Sequence, residues 1–411
     1  MVAAAVPQDL DTSRAIKLTS KDFSNNKYSY YEEMLVQAPV WKGKIAAINF
    51  VLIPRYQDCL DFLKDSRFVR NRTTATGGSR MPFPIPKSLQ LLIESMILTD
   101  DADHRRLRSL VNKGFTSNAI ADFEPKIEAL THELLDVAEK EGTVDLIPAY
   151  CLPVPMIVIS EMVGISKEQM PRFANSIRVL SKGFSGWNIL RTMLWDLRGV
   201  VRFFEELVAE KRANPQDDIL TKLIEAEEEG DRLSQDELIA TVFLLIVAGF
   251  ETTTHLISNG VIELLQQPEQ LDRLRSEPEL MNSAVEEILR HRGPIHGTKP
   301  GFALEDMELH GMPIKKGTAV MPLLGAANHD PSVFDKPSTF DIARSPNRHL
   351  SFGFGEHFCL GAQLARMEAR IAIRTLLERN SNLALAIRPD ELKVNRVPLW
   401  HRHDRLPVSF G

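Results

Sequence analysis

From Ser234 to Gln267 the chain keeps a helical pattern with no proline until Pro268 ends it, and this run constrains the fold more than any other stretch. Ser234-Gln-Asp-Glu237 opens it as a capping box, in which hydroxyl and carboxylate each accept from an amide that the first turn leaves without a partner. At ~1.5 Å per residue such a helix is roughly 50 Å long, enough to cross a whole domain, and a large helical body is needed to bury it. Apolar positions three and four apart supply that body at 123–140, 198–212 and 216–228. A second box, Ser276 to Glu279, predicts a helix ending at Gly293-Pro294, and a further helix is expected over about 360–378. Strand-like character is confined to 44–52 and 302–324, the latter divided by turns at His310-Gly311 and Lys316-Gly317. The expected class is mainly α with minor β, a single large helical domain over 1–411 with small β-sheets. No Gly/Ser linker, repeat or composition shift divides the chain.

Charge and cysteine usage narrow the function. With 49 basic against 55 acidic residues, the net charge of -6 offers no basic field for a phosphate backbone, so nucleic acid is not expected as a partner. Cys59, Cys151 and Cys359 are odd in number and far apart, which excludes a disulfide framework and a four-sulfur zinc site and fits a reducing cytoplasm. The first ten residues lack the basic region of a signal peptide, and the apolar run 238–250 is interrupted by Thr241 and shorter than the ~18 residues that span a bilayer. A soluble protein without a membrane anchor is expected.

The third cysteine stands in Phe352-Gly353-Phe354-Gly355-Glu356-His357-Phe358-Cys359-Leu360-Gly361. An isolated cysteine is commonly a small buried hydrophobe. Here three glycines permit close backbone approach, and the start of a helix favours an anion, so a thiolate can be held. Coordination deprotonates a thiol outright, and a lone cysteine without clustered co-ligands suits axial ligation of haem iron.

This loop resembles that of the cytochrome P450 family, Phe-x-x-Gly-x-His/Arg-x-Cys-x-Gly; five specified positions at ~1/20 each, one of them open to two residues, match by chance on the order of 10⁻⁴ in a chain of this length. The resemblance implies Cys359 as the iron ligand, His357 on a haem propionate, Phe352 near the sulfur, and Gly361 and Ala248 beside the cofactor. Ala248-Gly249-Phe250-Glu251-Thr252-Thr253 is similar to the family's Ala-Gly-x-Asp/Glu-Thr, which implies that Glu251 and Thr252 manage the proton supply for cleaving dioxygen. The small Ala248 and Gly249 leave room above an iron. Glu287-Ile-Leu-Arg290 and Phe340-Asp-Ile-Ala-Arg344 match the segments whose Glu287, Arg290 and Arg344 form a buried structural network, and Ala327 to Pro331 also fits. Asp100 to Arg108 is similar to the family's Asp-Pro-Pro-x-His-x-Arg-Leu-Arg without its prolines. There His104 and Arg108, at i and i+4, reach an anionic group such as a propionate, while Arg105 and Lys113 are solvated or face an acidic redox partner.

One position departs from the pattern: Gly301 stands where bacterial members usually carry a propionate-binding arginine, and Lys299 is expected on the same face as a substitute point charge. On this reading, an arginine restored at 301 slows haem release. The resemblance covers about 28–410 and implies a monomeric monooxygenase that uses haem b and O2. No flavin or dinucleotide motif is present, so NAD(P)H electrons arrive through a ferredoxin or flavodoxin with its reductase. By analogy, an apolar small-molecule substrate, hydroxylated or epoxidised, meets Phe83 and Ile85 in 80–85, Leu244 and Leu245, the segment 183–193, Ile295 and His296, and Val397 and Leu399. His296 and Asn188 are its polar handles. The competing readings are a peroxide-driven peroxygenase, a haem sensor or carrier without turnover, and a hydrolase using Cys359 with His349 or His357. Retention of Glu251-Thr252 argues against the first two.

Overall fold

The computed structural model describes residues 10–78, 95–175, 197–228 and 233–411. They group into two compact units: Met1–Gly78 with Glu124–Val154 and Thr252–Gly411, and Ser79–Phe123 with Pro155–Glu251. The principal helices, in chain order, are α1 (Lys21–Gln37), α2 (Tyr56–Phe62), α3 (Asp101–Asn112), α4 (Glu124–Ala138), α5 (Pro153–Val163) and α6 (Leu197–Ala213). There follow α7 (Ile219–Glu228), α8 (Gln235–Gln266), α9 (Pro268–Ser276), α10 (Met281–Arg292) and α11 (Ala362–Arg379).

The predicted long helix is α8, and its capping box is formed. The Ser234 hydroxyl accepts from the Glu237 amide at 3.2 Å, and the Glu237 carboxylate accepts from the Ser234 amide at 2.8 Å. Counted as a helix and not as an unbroken apolar run, α8 is long and apolar enough to cross a membrane, which corrects the estimate from 238–250. In its most apolar window 61% of residues are buried within the protein, as in a core helix. The second predicted box does not form. Ser276 ends α9 and bonds back to the Asp272 and Arg273 carbonyls, because Pro278 restarts the chain as a short 3₁₀ turn before α10.

All the described sheet lies in the first unit. Strands β1 (Ile16–Lys17), β2 (Trp41–Ile45), β3 (Ile48–Ile53), β4 (Phe68–Val69), β5 (Thr143–Asp145), β6 (Gly301–Ala303), β7 (Met307–Leu309), β8 (Met312–Ile314), β9 (Ala319–Pro322), β10 (Ala384–Leu385) and β11 (Pro407–Ser409) form three sheets. The largest has the order β1-β2-β3-β9-β6-β4. The segment read as one strand over 44–52 is a hairpin, β2 to β3, turning at Ala46 with φ 51°. Neither Gly, Asn nor Pro marks that turn, so the apolar alternation ran straight through it. The parallel pairing of β3 with β9 brings Val51 to Val320 and buries Phe50, Leu52 and Met321 with Trp41 and Tyr31 on one face, Val51, Ile53, Val320 and Phe62 on the other.

The second unit is helical. Phe173, Phe203, Phe204 and Phe243 form a chain of ring contacts at 5.4–6.1 Å between centroids, and Arg106 of α3 bonds Glu237 of α8 at 2.5 Å.

Candidate active site

The cysteine loop is built by two residues in the left-handed region, Gly353 at φ 71° and Gly355 at φ 73°. A Cβ at Gly355 would stand 2.7 Å from the Leu63 carbonyl oxygen, so only glycine lets the loop seat on the end of α2. The Cys359 amide donates to the Phe352 carbonyl at 2.9 Å, which closes the loop just before Gly361 caps α11. Phe352 is clamped on the inside by the Arg366 guanidinium, 4.5 Å from its ring centroid.

The three cysteines separate cleanly. Burial pushes the thiols of Cys59 and Cys151 up, so both stay protonated, whereas Cys359 is exposed. On the loop beside it, a Cβ at Gly361 would meet nothing within 4 Å. An accessible soft ligand next to an open, side-chain-free surface is what a flat macrocycle requires, so these residues fit a haem whose iron takes the Cys359 sulfur. His357, in the turn Gly355–His357, is partly exposed on the same loop.

Along α8, burial is interrupted on one face. Leu244, Val247, Glu251 and Thr252 are partly exposed and Ala248 is exposed, at helical spacing, within a helix whose Leu245, Ile246, Phe250 and Thr253 are buried. The two small residues differ in their surroundings. A Cβ at Gly249 would come within 3.1 Å of Ile159, so Gly249 permits close packing of α5, while Ala248 keeps the open face low. On α3, His104 is buried and Arg108 partly buried on one face, whereas Arg105 and Lys113 are exposed.

Glu287 is fully buried and holds the predicted charged trio together. Arg290 donates to both its carboxylate oxygens at 2.8 Å, Arg344 to both at 3.1 Å, and the Asp341 amide and Asn347 amide group add bonds at 3.0 and 3.1 Å. The two guanidiniums reach on to the carbonyls of Asn328, Pro337, Thr339 and Asp335. One carboxylate thereby fixes the chain leading into the cysteine loop from three sides. Asn328, in the Ala327 to Pro331 segment, extends the brace by bonding the Leu350 amide and Ser351 hydroxyl.

The residues expected to face substrate lie in different surroundings. Phe83, Ile85 and the 183–193 segment with Asn188 lie outside the described residues. Leu244, Ile295 and Val397 are partly exposed and Leu245 is buried. Leu399 belongs to the core around Trp41, and His296 is not a polar handle for substrate. Its Nε2 meets the Tyr28 hydroxyl at 3.3 Å, its Nδ1 meets the Tyr31 hydroxyl at 3.1 Å, and its ring stacks on His401. The hydrolase candidate His349 is likewise engaged, bonding Glu286 at 3.1 Å and the Ser351 amide at 3.2 Å.

Two features were not anticipated. Glu368 is buried on α11, hydrogen-bonds Thr253 beside Thr252, and burial raises its carboxyl to about 8, so it is a neutral acid at pH 7. Its sequence signal is a carboxylate at helical spacing among the apolar Leu364, Ile371 and Ala372. The second is a buried group of histidines in the first unit. Tyr28 touches His296, His329 and His401, the last abuts His403, and His291 joins through His329. Glu263 bonds His291 and Arg292 at 2.9 Å each, and Lys27 donates to the Trp400 carbonyl at 2.5 Å.

Burial, aided by neighbouring Lys27 and Arg292, pushes His296 and His401 well below the usual range and His403 to about 4; burial and Arg402 bring His255 to about 3. These rings are neutral when folded and titrate near 6.5 when unfolded, so the unfolded chain binds more protons below that pH. Stability should be complete above pH 6.5 and fall towards pH 4, by at most ~1.4 kcal/mol per pH unit for each neutral ring. Urea unfolding at pH 7 and pH 5 should show a lower midpoint at pH 5, with a smaller drop in His403→Asn. Equal wild-type midpoints would refute the prediction.

The chain belongs to the cytochrome P450 family: the family model described as Cytochrome P450 matches residues 158–384. It is 41% identical to cytochrome P450 CYP107DY1 of Priestia megaterium, over 96% of this chain and all of that one. It is 36% identical to the polyketide biosynthesis cytochrome P450 PksS of Bacillus subtilis, over 95% and 97%. A solved structure of myxobacterial cytochrome P450 CYP267B1 in complex with myristic acid superposes with a TM-score of 0.90 at 34% identity, covering 96% of this chain and 98% of that one. This protein is accordingly a monooxygenase, an oxidoreductase with haem b and O2 whose electrons come from NAD(P)H through partner proteins.

Proposed function

We propose that this chain, acting as one cytoplasmic monomeric domain, hydroxylates or epoxidises an apolar small molecule of the fatty-acyl or polyketide kind, with electrons from a ferredoxin or flavodoxin and its reductase. The observation that carries the reading is the open stripe on α8, where apolar Leu244, Val247 and Ala248 run directly into Glu251 and Thr252. An apolar surface that ends in an acid and a hydroxyl suits a site that binds hydrocarbon and manages protons at one place. The myristic acid bound to CYP267B1 and the polyketide role in the name of PksS support the substrate class.

Bound haem supplies the redox chemistry that activates dioxygen. Cys359 would hold the iron and supply thiolate electron density, and His104, Arg108 and His357 are the candidate residues that would hold the two haem carboxylates. Glu251 would take protons from solvent, for which partial exposure suits it, and the Thr252 hydroxyl would hold and pass them on at its own oxygen. Leu244 and Ala248 on α8 would present the apolar surface that keeps water from the reacting carbon.

Thr252→Ala tests the assignment. With myristic acid as probe and a ferredoxin system as donor, the variant should bind haem and consume NAD(P)H at a rate near wild type. Its yield of hydroxylated product per NAD(P)H should fall by about 10²-fold, the scale of lost positioned proton transfer, with hydrogen peroxide making up the difference. Product yield unchanged per NAD(P)H would remove Thr252 from proton delivery.

A further inference from the structure

We infer that Arg70 holds a haem propionate, supplying from a neighbouring strand the cation that Gly301 cannot carry; the inference rests on the haem-thiolate reading above. Strands β4 and β6 are antiparallel, with Phe68 opposite Ala303 and Val69 opposite Phe302. One residue further, Arg70 comes opposite Gly301. Directly opposed residues of an antiparallel pair carry their side chains on the same face, so Arg70 projects from the face on which residue 301 would project.

That face has no space at 301 itself. A Cβ there would lie 2.7 Å from Phe62 Cζ and 2.9 Å from Phe68 Cβ, two rings packed with centroids 4.6 Å apart. This overturns the expectation that an arginine restored at 301 would slow haem release, because its stem would first have to displace both rings. Arg70 instead passes over the Phe62 ring. Its residue is 9% exposed, its guanidinium stands 5.5 Å from the Phe62 ring centroid, and it donates to the Lys299 carbonyl.

The same corner supports the cysteine loop. Phe62 ends α2, and the next two residues contact the loop directly, Leu63 through its carbonyl against Gly355 and Lys64 with its ammonium 4.8 Å from the Phe354 ring centroid. Arg70 is thus one side chain removed from the backbone that seats the Cys359 loop, within the same unit. Haem b carries two carboxylates. A planar guanidinium, always charged and held by stacking and by a carbonyl, matches one of them in a way a mobile lysine does not. Lys299 is exposed beside it and adds a point charge.

The holoprotein is loaded either with haem b or with haem b dimethyl ester, whose carboxylates are capped, and transfer to excess apomyoglobin is timed. Arg70→Gln, which can still donate to the Lys299 carbonyl, should release haem b about tenfold faster than wild type, the scale of one charge-assisted hydrogen bond. It should release the dimethyl ester at a wild-type rate. Arg70→Lys, which keeps the charge without the fork, should fall between for haem b and serves if the glutamine variant does not fold. Equal acceleration with both haems would make Arg70 a structural brace, and no acceleration with haem b would exclude it as a propionate partner; either result overturns the inference. A wild-type ferrous carbon monoxide spectrum of histidine type would overturn the haem-thiolate reading itself, whereas a thiolate spectrum with unchanged transfer overturns the Arg70 assignment alone.

Discussion

Glu287→Gln is expected to cost about 3–5 kcal/mol, because it leaves the charges of Arg290 and Arg344 buried without their counter-ion. A folded domain has only about 5–15 kcal/mol in hand, so the variant should accumulate poorly and retain little haem. The adjacent acid is the internal comparison. Glu286 also bonds an arginine, Arg366, at 2.6 Å, but the pair is 29% and 37% exposed, where an ion pair contributes about 0–1 kcal/mol. Glu286 also bonds the buried side chain of His349, and against desolvation these two partners hold its carboxyl down to about 2. Glu286→Gln should therefore cost measurable urea stability, but less than Glu287→Gln, whose carboxylate is fully buried. Equal losses in the two variants would show that the Glu287 network does not brace the haem-side scaffold, and that burial does not set the difference.

That contrast also marks how far the sequence could be read. Glu287 and Arg290, one turn apart, are legible as a pair, and the family resemblance gave Arg344, but nothing in the spacing says which of two neighbouring acids is buried. The long helix was legible because its cap and its terminating proline are local and the structure uses both. The false cap at Ser276 obeyed the same local rule and lost to Pro278, which restarts the chain before Glu279 can serve. The cysteine loop was visible because glycine at positive φ is a backbone requirement written as residue identity.

What stayed hidden depends on long-range neighbours. His296 lies 268 and 265 residues from Tyr28 and Tyr31, and His401 lies on a third segment, so neither the buried histidine group nor the loss of His296 as a substrate contact can be seen from one segment. Gly301 could be recognised as a departure, but the rings that fill its space come from α2 and β4, and the cation opposite it is identified only by strand register. Glu368 lay within reach, since a carboxylate in an apolar stripe is a local anomaly whose partner, Thr253, is supplied by another helix.

Cys359→Ser should have the largest effect of all. Serine is a hard, weakly donating ligand in place of a thiolate, so the variant should lose monooxygenation outright while Cys59→Ser and Cys151→Ser, at buried sites, should keep it. Cys59 donates to the Ile53 carbonyl at 3.2 Å, a bond that a hydroxyl can retain. The direct measurement is the Soret band of the reduced, carbon monoxide-bound protein. Wild type, Cys59→Ser and Cys151→Ser should show the red-shifted thiolate position and Cys359→Ser should not. A histidine-type band in wild type, or a thiolate band surviving in Cys359→Ser, would contradict the assignment of Cys359 as the iron ligand.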